Sequence, residues 1–232
     1  MKPVRLVLLI LALAATGAPA RAAMLSKTVK LEGLTVPYRV WLPAGYSPDK
    51  AYPLVLLFSG GGQSIQGSER AIAEGWAEQA DKRGYIVVSP AAADGQLYFQ
   101  GGDRIFPAFI EIIRKDYKTS GKIHVAGMSN GGLSAFHIAA LYPRYFSTVT
   151  GYPGMLLDIE HDKPGELGGL CLFMHVGDRD DEWREAMGAQ YRVLRDAGHR
   201  IKFTVEKNQV HRLKPAELGL PVRLFDEIES CR

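Results

Sequence analysis

Apolar residues along this chain gather into short unbroken runs separated by turn residues. PLVLLF (53–58), YIVVS (85–89), IHVAG (123–127) and LCLFMHVG (170–177) are of this kind. A strand covered on both faces has no side to leave polar, so such runs predict parallel strands inside a sheet. FSTVTGY (146–152) is a weaker run of the same type. IKFTVEK (201–207) differs: Ile201, Phe203 and Val205 alternate with Lys202, Thr204 and Glu206. That pattern predicts an edge strand with one wet face. Near the start, LSKTVKL and LTVPYRVWL flank Glu32-Gly33 and predict a hairpin over 25–42.

Helical spacing fills the intervals. DRIFPAFIEIIRKDY (103–117) groups its apolar residues at 105/106, 109/110, 112/113 and 117. Asp103 is placed to cap its start, and Pro107 falls early enough to be tolerated. Residues 182–197 carry Trp183, Met187, Tyr191 and Leu194 on one face, and Gly198 ends the pattern. A final helix is expected over about 215–229. Strands alternating with helices predict an α/β fold: a mostly parallel sheet of roughly eight strands with helices on both faces. The stretch between the sixth and seventh strands, residues 153–169, is too short for a large lid domain.

The first 23 residues stand apart. MKPVR is basic, LVLLILALAATG is apolar, and APARAAM offers small residues at A-x-A spacing, the three-part pattern of a secretory signal peptide. The apolar run is about half the roughly 20 residues a spanning helix needs. The expectation is therefore a signal peptide over 1–23, cut after Ala20, Ala22 or Ala23. A single domain over 24–232 follows, exported to the periplasm or medium without a stable membrane anchor. At 232 residues, 47% apolar and 23% charged, the composition suits one globular domain. Removing Lys2, Arg5 and Arg21 takes the basic count from 28 to 25, against 25 acidic residues. A formally neutral mature chain gives no electrostatic footprint for nucleic acid. Export makes a disulfide between Cys171 and Cys231 chemically possible. The apolar run around Cys171 reads more simply as a site for a buried small hydrophobe.

One stretch carries chemistry. In IHVAGMSNGGLSAF (123–136), Ser129 stands between Gly127 and Gly131, where a strand turns into a helix. Such a turn is tight, and side chains at the two glycines would collide with the neighbouring strand and helix. The turn lifts the serine hydroxyl clear of the sheet above a helix N-terminus, which is the G-x-S-x-G nucleophile elbow. A serine needs a base. His211, four residues beyond the last strand, is placed for it. His124 and His137 lie inside elements, His161 and His199 look solvated, and His175, near a strand end, is a candidate to line the site but precedes the acid segment. Asp178, Asp180, Asp181 and Glu182 all follow the next-to-last strand. Asp181 is well placed to cap the following helix, and the turn after Gly177 favours Asp180 as the carboxylate that orients His211, with Asp178 the next choice. SGGGQS (59–64) follows the first buried strand, and its glycines let backbone amides approach an oxyanion. The expected donors are the amides of Gly61 and Asn130. Tyr98, Phe99 and Trp183 lie on loops near the expected mouth as candidate substrate contacts. Glycine loop, elbow serine, acid and histidine, each after a different strand, follow the chain order of α/β-hydrolases.

The chain resembles the secreted polyhydroxybutyrate depolymerase and feruloyl esterase family of α/β-hydrolases. The resemblance lies in DRIFPAFIEIIRKDYKTSGKIHVAGMSNGG, with its G-x-S-N-G-G elbow, in FSGGGQS against L-H-G-C-x-Q, and in GDRDDEW against a G-x-x-D acid loop. It covers roughly residues 35–215. Ser59 stands where the family has histidine, and the base sits in NQVH rather than after a glycine. The resemblance implies a serine esterase acting on a small-molecule ester through an acyl-enzyme, with no metal or cofactor. A thioesterase or lipase would share these residues and differ in pocket shape. A non-catalytic binding protein of the same fold would be marked by a damaged triad, and here every part is present.

Overall fold

A computed structural model describes residues 21–157 and 164–231. The leader, apart from its last three residues, and His161 lie outside the described residues. The expected hairpin is present as β1 (Ala23–Leu31) and β2 (Leu34–Leu42). Its two-residue turn uses Glu32 at φ +48° and Gly33 at φ +82°, the left-handed pair that matches the twist of antiparallel strands. The buried runs become β3 (Leu54–Phe58), β4 (Ile86–Pro90), β5 (Ile123–Gly127), β6 (Phe146–Gly151) and β7 (Cys171–Gly177), and β8 (Arg200–Glu206) closes the series. All eight form one sheet in the order β1-β2-β4-β3-β5-β6-β7-β8. β2 is antiparallel to both neighbours, and β3 to β8 run parallel.

Two apolar layers cover the sheet. On one face, α3 (Phe106–Asp116), α4 (Asn130–Leu141) and α5 (Asp181–Asp196) pack over Leu56, Val125, Val149 and Leu172. On the other, Val55, Leu57, Val87 and Ala126 meet Ile72, Trp76, Leu224 and Phe225. The hydrophobic pattern does not announce the helical stretch that supplies Ile72 and Trp76. It consists of α1 (Ile65–Ala71), a π-helical turn (Ile72–Trp76) and α2 (Ala77–Arg83). The expected C-terminal helix is two helices, α6 (Pro215–Leu218) and α7 (Leu220–Ser230), broken where Gly219 turns to φ +56°.

Three expectations are corrected at the β7–β8 edge. The polar face of β8 is wet at Lys202, whose side chain is 61% exposed, but not at Glu206. Glu206 is 5% exposed, its carboxylate takes both Oε atoms to Arg223 of α7 at 2.9 and 3.0 Å, and Lys202 Nζ meets Glu227 of α7 at 2.7 Å. Val205, on the supposedly buried face, is 41% exposed. His175, a candidate lining residue, is 1% exposed and clamped away from the site, with Nδ1 3.0 Å from Glu206 and Nε2 2.8 Å from Glu227. Cys171 is not a free hydrophobe: it is bonded to Cys231, which ties the start of β7 to the end of α7.

Candidate active site

β5 ends at Gly127, and α4 begins at Asn130. Ser129, between them, is held at φ +56° and ψ −123°. A non-glycine residue in such a conformation costs about 1–3 kcal/mol and persists only when its surroundings dictate it. They do so here. Ser129 N–H donates to Pro153 O at 2.8 Å, and its carbonyl accepts from Leu133 N–H at 2.9 Å. A Cβ on Gly127 would lie 2.0 Å from Gly131 O, and one on Gly131 would lie 2.2 Å from Phe58 O. Glycine is obligatory at both positions for the steric reason the spacing suggests.

The elbow presents Ser129 Oγ to His211 Nε2 at 2.8 Å, and His211 Nδ1 meets Asp180 Oδ2 at 2.7 Å. A carboxylate only accepts, so Nδ1 carries the proton and Nε2 is the acceptor for the serine hydroxyl. Asp180 is the backbone N-cap of α5, yet its side chain makes no capping bond and is free to turn toward the imidazole. Asp181, expected to cap, lies in the first turn and pairs with Arg184 at 2.8 Å. Asp178 serves a different purpose. Its Oδ1 accepts from Gln209 N–H at 3.1 Å, while Arg179 N–H donates to Gln209 O at 2.9 Å. These bonds fasten the acid loop to the segment that carries His211. Hydrogen bonds from the backbone at Asn208 and Gln209 hold the Asp178 carboxyl below its ordinary pKa. A Cβ on Gly177 would lie 2.4 Å from Gln209 O, so glycine lets the two loops touch.

Gly61 lies at φ +61° in the loop after β3, and its carbonyl accepts from Asn130 Nδ2 at 3.0 Å. The loop is thereby set over the start of α4. Among the described residues, neither Gly61 N–H nor Asn130 N–H donates to a backbone carbonyl. Gln63 is a part of this arrangement that sequence reasoning missed. It is fully buried at φ +51°. Its Nε2 donates to Ser134 Oγ at 2.7 Å and to Asn130 O at 3.4 Å, and its Oε1 accepts from Tyr98 N–H at 3.2 Å. One side chain thus joins the glycine loop, the nucleophile helix and the turn after β4. The glutamine in SGGGQS was the available signal. Ser59, in the family's histidine position, is buried with its hydroxyl unpartnered among the described residues.

The three aromatic candidates separate. Tyr98 is corrected to a core residue: it is 1% exposed, packs 4.8 Å from Phe106 and 5.3 Å from Phe58, and donates its hydroxyl to Ala91 O at 2.6 Å. Phe99 is half-buried in the same turn. Trp183 is half-buried with its ring centroid 5.0 Å from that of His211. A cleft of about 860 Å³ opens beside Gly60 and Gly61, and none of the three lines it. Among the described residues, no group of three or more His, Cys, Asp or Glu is arranged to hold a metal ion.

No protein-family model matches the chain, and no curated protein matches it. Solved structures do. A protein assigned as a dipeptidyl aminopeptidase IV of Bacteroides ovatus aligns over 91% of this chain at 17% identity and a TM-score of 0.70. The chain spans only 36% of that protein's length. A ferulic acid esterase aligns over 92% of this chain and 99% of its own, at 19% identity and a TM-score of 0.72. A ferulic acid esterase from Anaeromyces mucronatus, solved with ferulic acid, aligns over 94% and 92% at 14% identity and a TM-score of 0.69. With this strand order, helices on both faces and esterases of the same architecture over nearly its whole length, the chain has the α/β-hydrolase fold.

Proposed function

We propose that this protein is a serine hydrolase of carboxylic esters. The observation that carries the reading is the unbroken chain from Asp180 to His211 to Ser129, at 2.7 and 2.8 Å, at an elbow that admits only glycine two residues to either side. Ser129 Oγ attacks the ester carbonyl as His211 Nε2 takes its proton. Asp180 fixes the tautomer and stabilises the imidazolium. The amides of Gly61 and Asn130 stabilise the oxyanion. The imidazolium then protonates the leaving alcohol, and His211 next deprotonates the water that releases the acid. Esters of aromatic acids are the first substrates to try, because the ferulic acid esterases share the architecture. Export fits the leader over 1–23 and the Cys171–Cys231 bond, since disulfides persist in oxidising compartments.

The test is hydrolysis of nitrophenyl esters from acetate to octanoate by wild type and Ser129→Ala. Loss of the nucleophile is expected to lower kcat by up to about 10⁶-fold. A fluorophosphonate probe should label wild type and spare the variant. Turnover unchanged in Ser129→Ala, or a wild type that neither turns over esters nor takes the probe, refutes the reading.

A further inference from the structure

The cleft beside the glycine loop runs between two walls. One is the helical stretch of α1 and the π turn, and the other is the segment on either side of His211. At about 860 Å³ it lies within the roughly 300–1,000 Å³ range of ligand pockets. Ala71, Met128, Tyr152, Val210 and Leu213 give it an apolar lining, and Met128 directly precedes the nucleophile.

The α1 wall departs from good helix design twice in one place. Residues Ile72–Trp76 form a π-helical turn, closed by Ala77 N–H donating to Ile72 O. Such turns are rare and recur at functional sites. Inside it sits Gly75, which lines the cleft. Its φ is not left-handed, and a Cβ built there meets nothing within 4 Å. Neither backbone nor packing requires glycine at this position, and glycine weakens a helix relative to alanine. What glycine supplies is open volume in the cleft. Departures from local sequence rules without a folding reason concentrate at functional sites.

We propose that this cleft is the subsite for the larger, mainly apolar arm of the ester, and that Gly75 sets the size it admits. The inference rests on the reading of Ser129 as an esterase nucleophile. The substrate class is then carboxylic esters with a bulky group on one side of the scissile bond, rather than esters small on both sides. The ion pair of Glu74 with Arg212, at 3.0 Å, crosses from the π turn to the residue after His211 and borders the same opening.

Gly75→Phe fills the space without touching the triad, and its melting curve should match the wild type. Methyl acetate, methyl hexanoate and hexyl acetate are compared by titrating the acid released. Wild type is expected to favour one of the long esters over methyl acetate by at least about tenfold in kcat/KM, since single methylenes in such pockets are worth about tenfold or more. Gly75→Phe should erase that preference by lowering kcat/KM for the long ester far more than for methyl acetate, with Gly75→Ala between. A wild type without preference, a preference that survives in Gly75→Phe, or an equal loss on all three esters overturns the proposal. Failure of the underlying reading looks different: Ser129→Ala would keep its activity, or wild type would hydrolyse none of the three.

Discussion

Breaking the Cys171–Cys231 bond should cost this protein a large part of its stability. The two residues are 60 positions apart, so the bond closes a long loop in the unfolded chain. Chain-entropy arithmetic for a loop of that length gives about 14 cal/mol/K, or about 4 kcal/mol at 25 °C. For a domain of this size each kcal/mol moves Tm by about 2–4 °C, so the expected drop is about 8–16 °C. Cys231→Ser is the better substitution, because Cys171 is buried and altering it would confound the loop effect with a packing defect. Urea denaturation of wild type, wild type under reductant and Cys231→Ser measures the effect. The two perturbed samples should agree with each other and fall well below the oxidised protein. Equal midpoints for all three samples, or two free thiols in the native protein, would refute the reasoning.

Three further outcomes are expected. Asp180→Asn should lower kcat by about 10⁴-fold through the wrong imidazole tautomer, while Asp178→Asn should cost far less because Asp178 binds backbone and not His211; steady-state kinetics of both decides. Gln63→Ala should lower kcat by about 10²-fold with little change in KM, since it loosens the loop that carries the proposed oxyanion donors; a rise in KM alone would contradict this. The His175 cluster should give stability a pH window. Burial opposes the charge on all three groups, but the His175 bonds to Glu206 and Glu227, with Arg223 beside Glu206 and Lys202 beside Glu227, outweigh it, so the imidazole pKa is raised and both carboxyl pKa values are lowered. The imidazole contribution is complete below its unfolded value of about 6.5 and fades as pH rises through the higher folded value. The carboxylate contribution is complete above their unfolded value of about 4.3 and fades as pH falls through the lower folded values. Urea midpoints from pH 3 to 10 should decline at both ends, and His175→Leu should remove the alkaline arm at a cost of about 3–5 kcal/mol near neutrality.

The interior strands were legible because burial on both faces leaves an unmistakable run, as in β3 and β7. The elbow was legible because Gly127 and Gly131 answer to contacts within a few residues of Ser129 or on the adjacent β3. Other features depend on pairs that meet only in space. Glu206 read as solvent-facing because nothing local shows that it meets His175 and Arg223 beneath α7, while Lys202, which does face solvent, gave no sign of its pairing with Glu227. The Cys171–Cys231 bond needs the start of β7 and the end of α7 to coincide, which neither segment records. Among four acidic side chains in one turn, turn length favoured Asp180, and the backbone does turn Asp180 toward His211, while Asp178 binds Gln209. Tyr98 had a loop neighbourhood in sequence and an aromatic cluster in space. The helices around Gly67 and Gly75 were masked by those glycines and by a π turn that shifts the apolar spacing.

The proposed acid and base, Asp180 and His211, follow β7 and β8, the last two strands at one edge of the sheet, while the proposed nucleophile Ser129 follows β5 nearer its centre. Edge elements open more readily than central ones. On the proposed function, catalytic competence would depend on the local opening equilibrium of that edge more than on global unfolding. Amide exchange in β8 and its flanking turns, rather than the midpoint of a melt, is the quantity that activity should follow. On that account the covalent tie at Cys171 and the ion cluster beneath Glu206 act as brakes on fraying, placed under the two residues that lose their function first when the edge parts from the sheet.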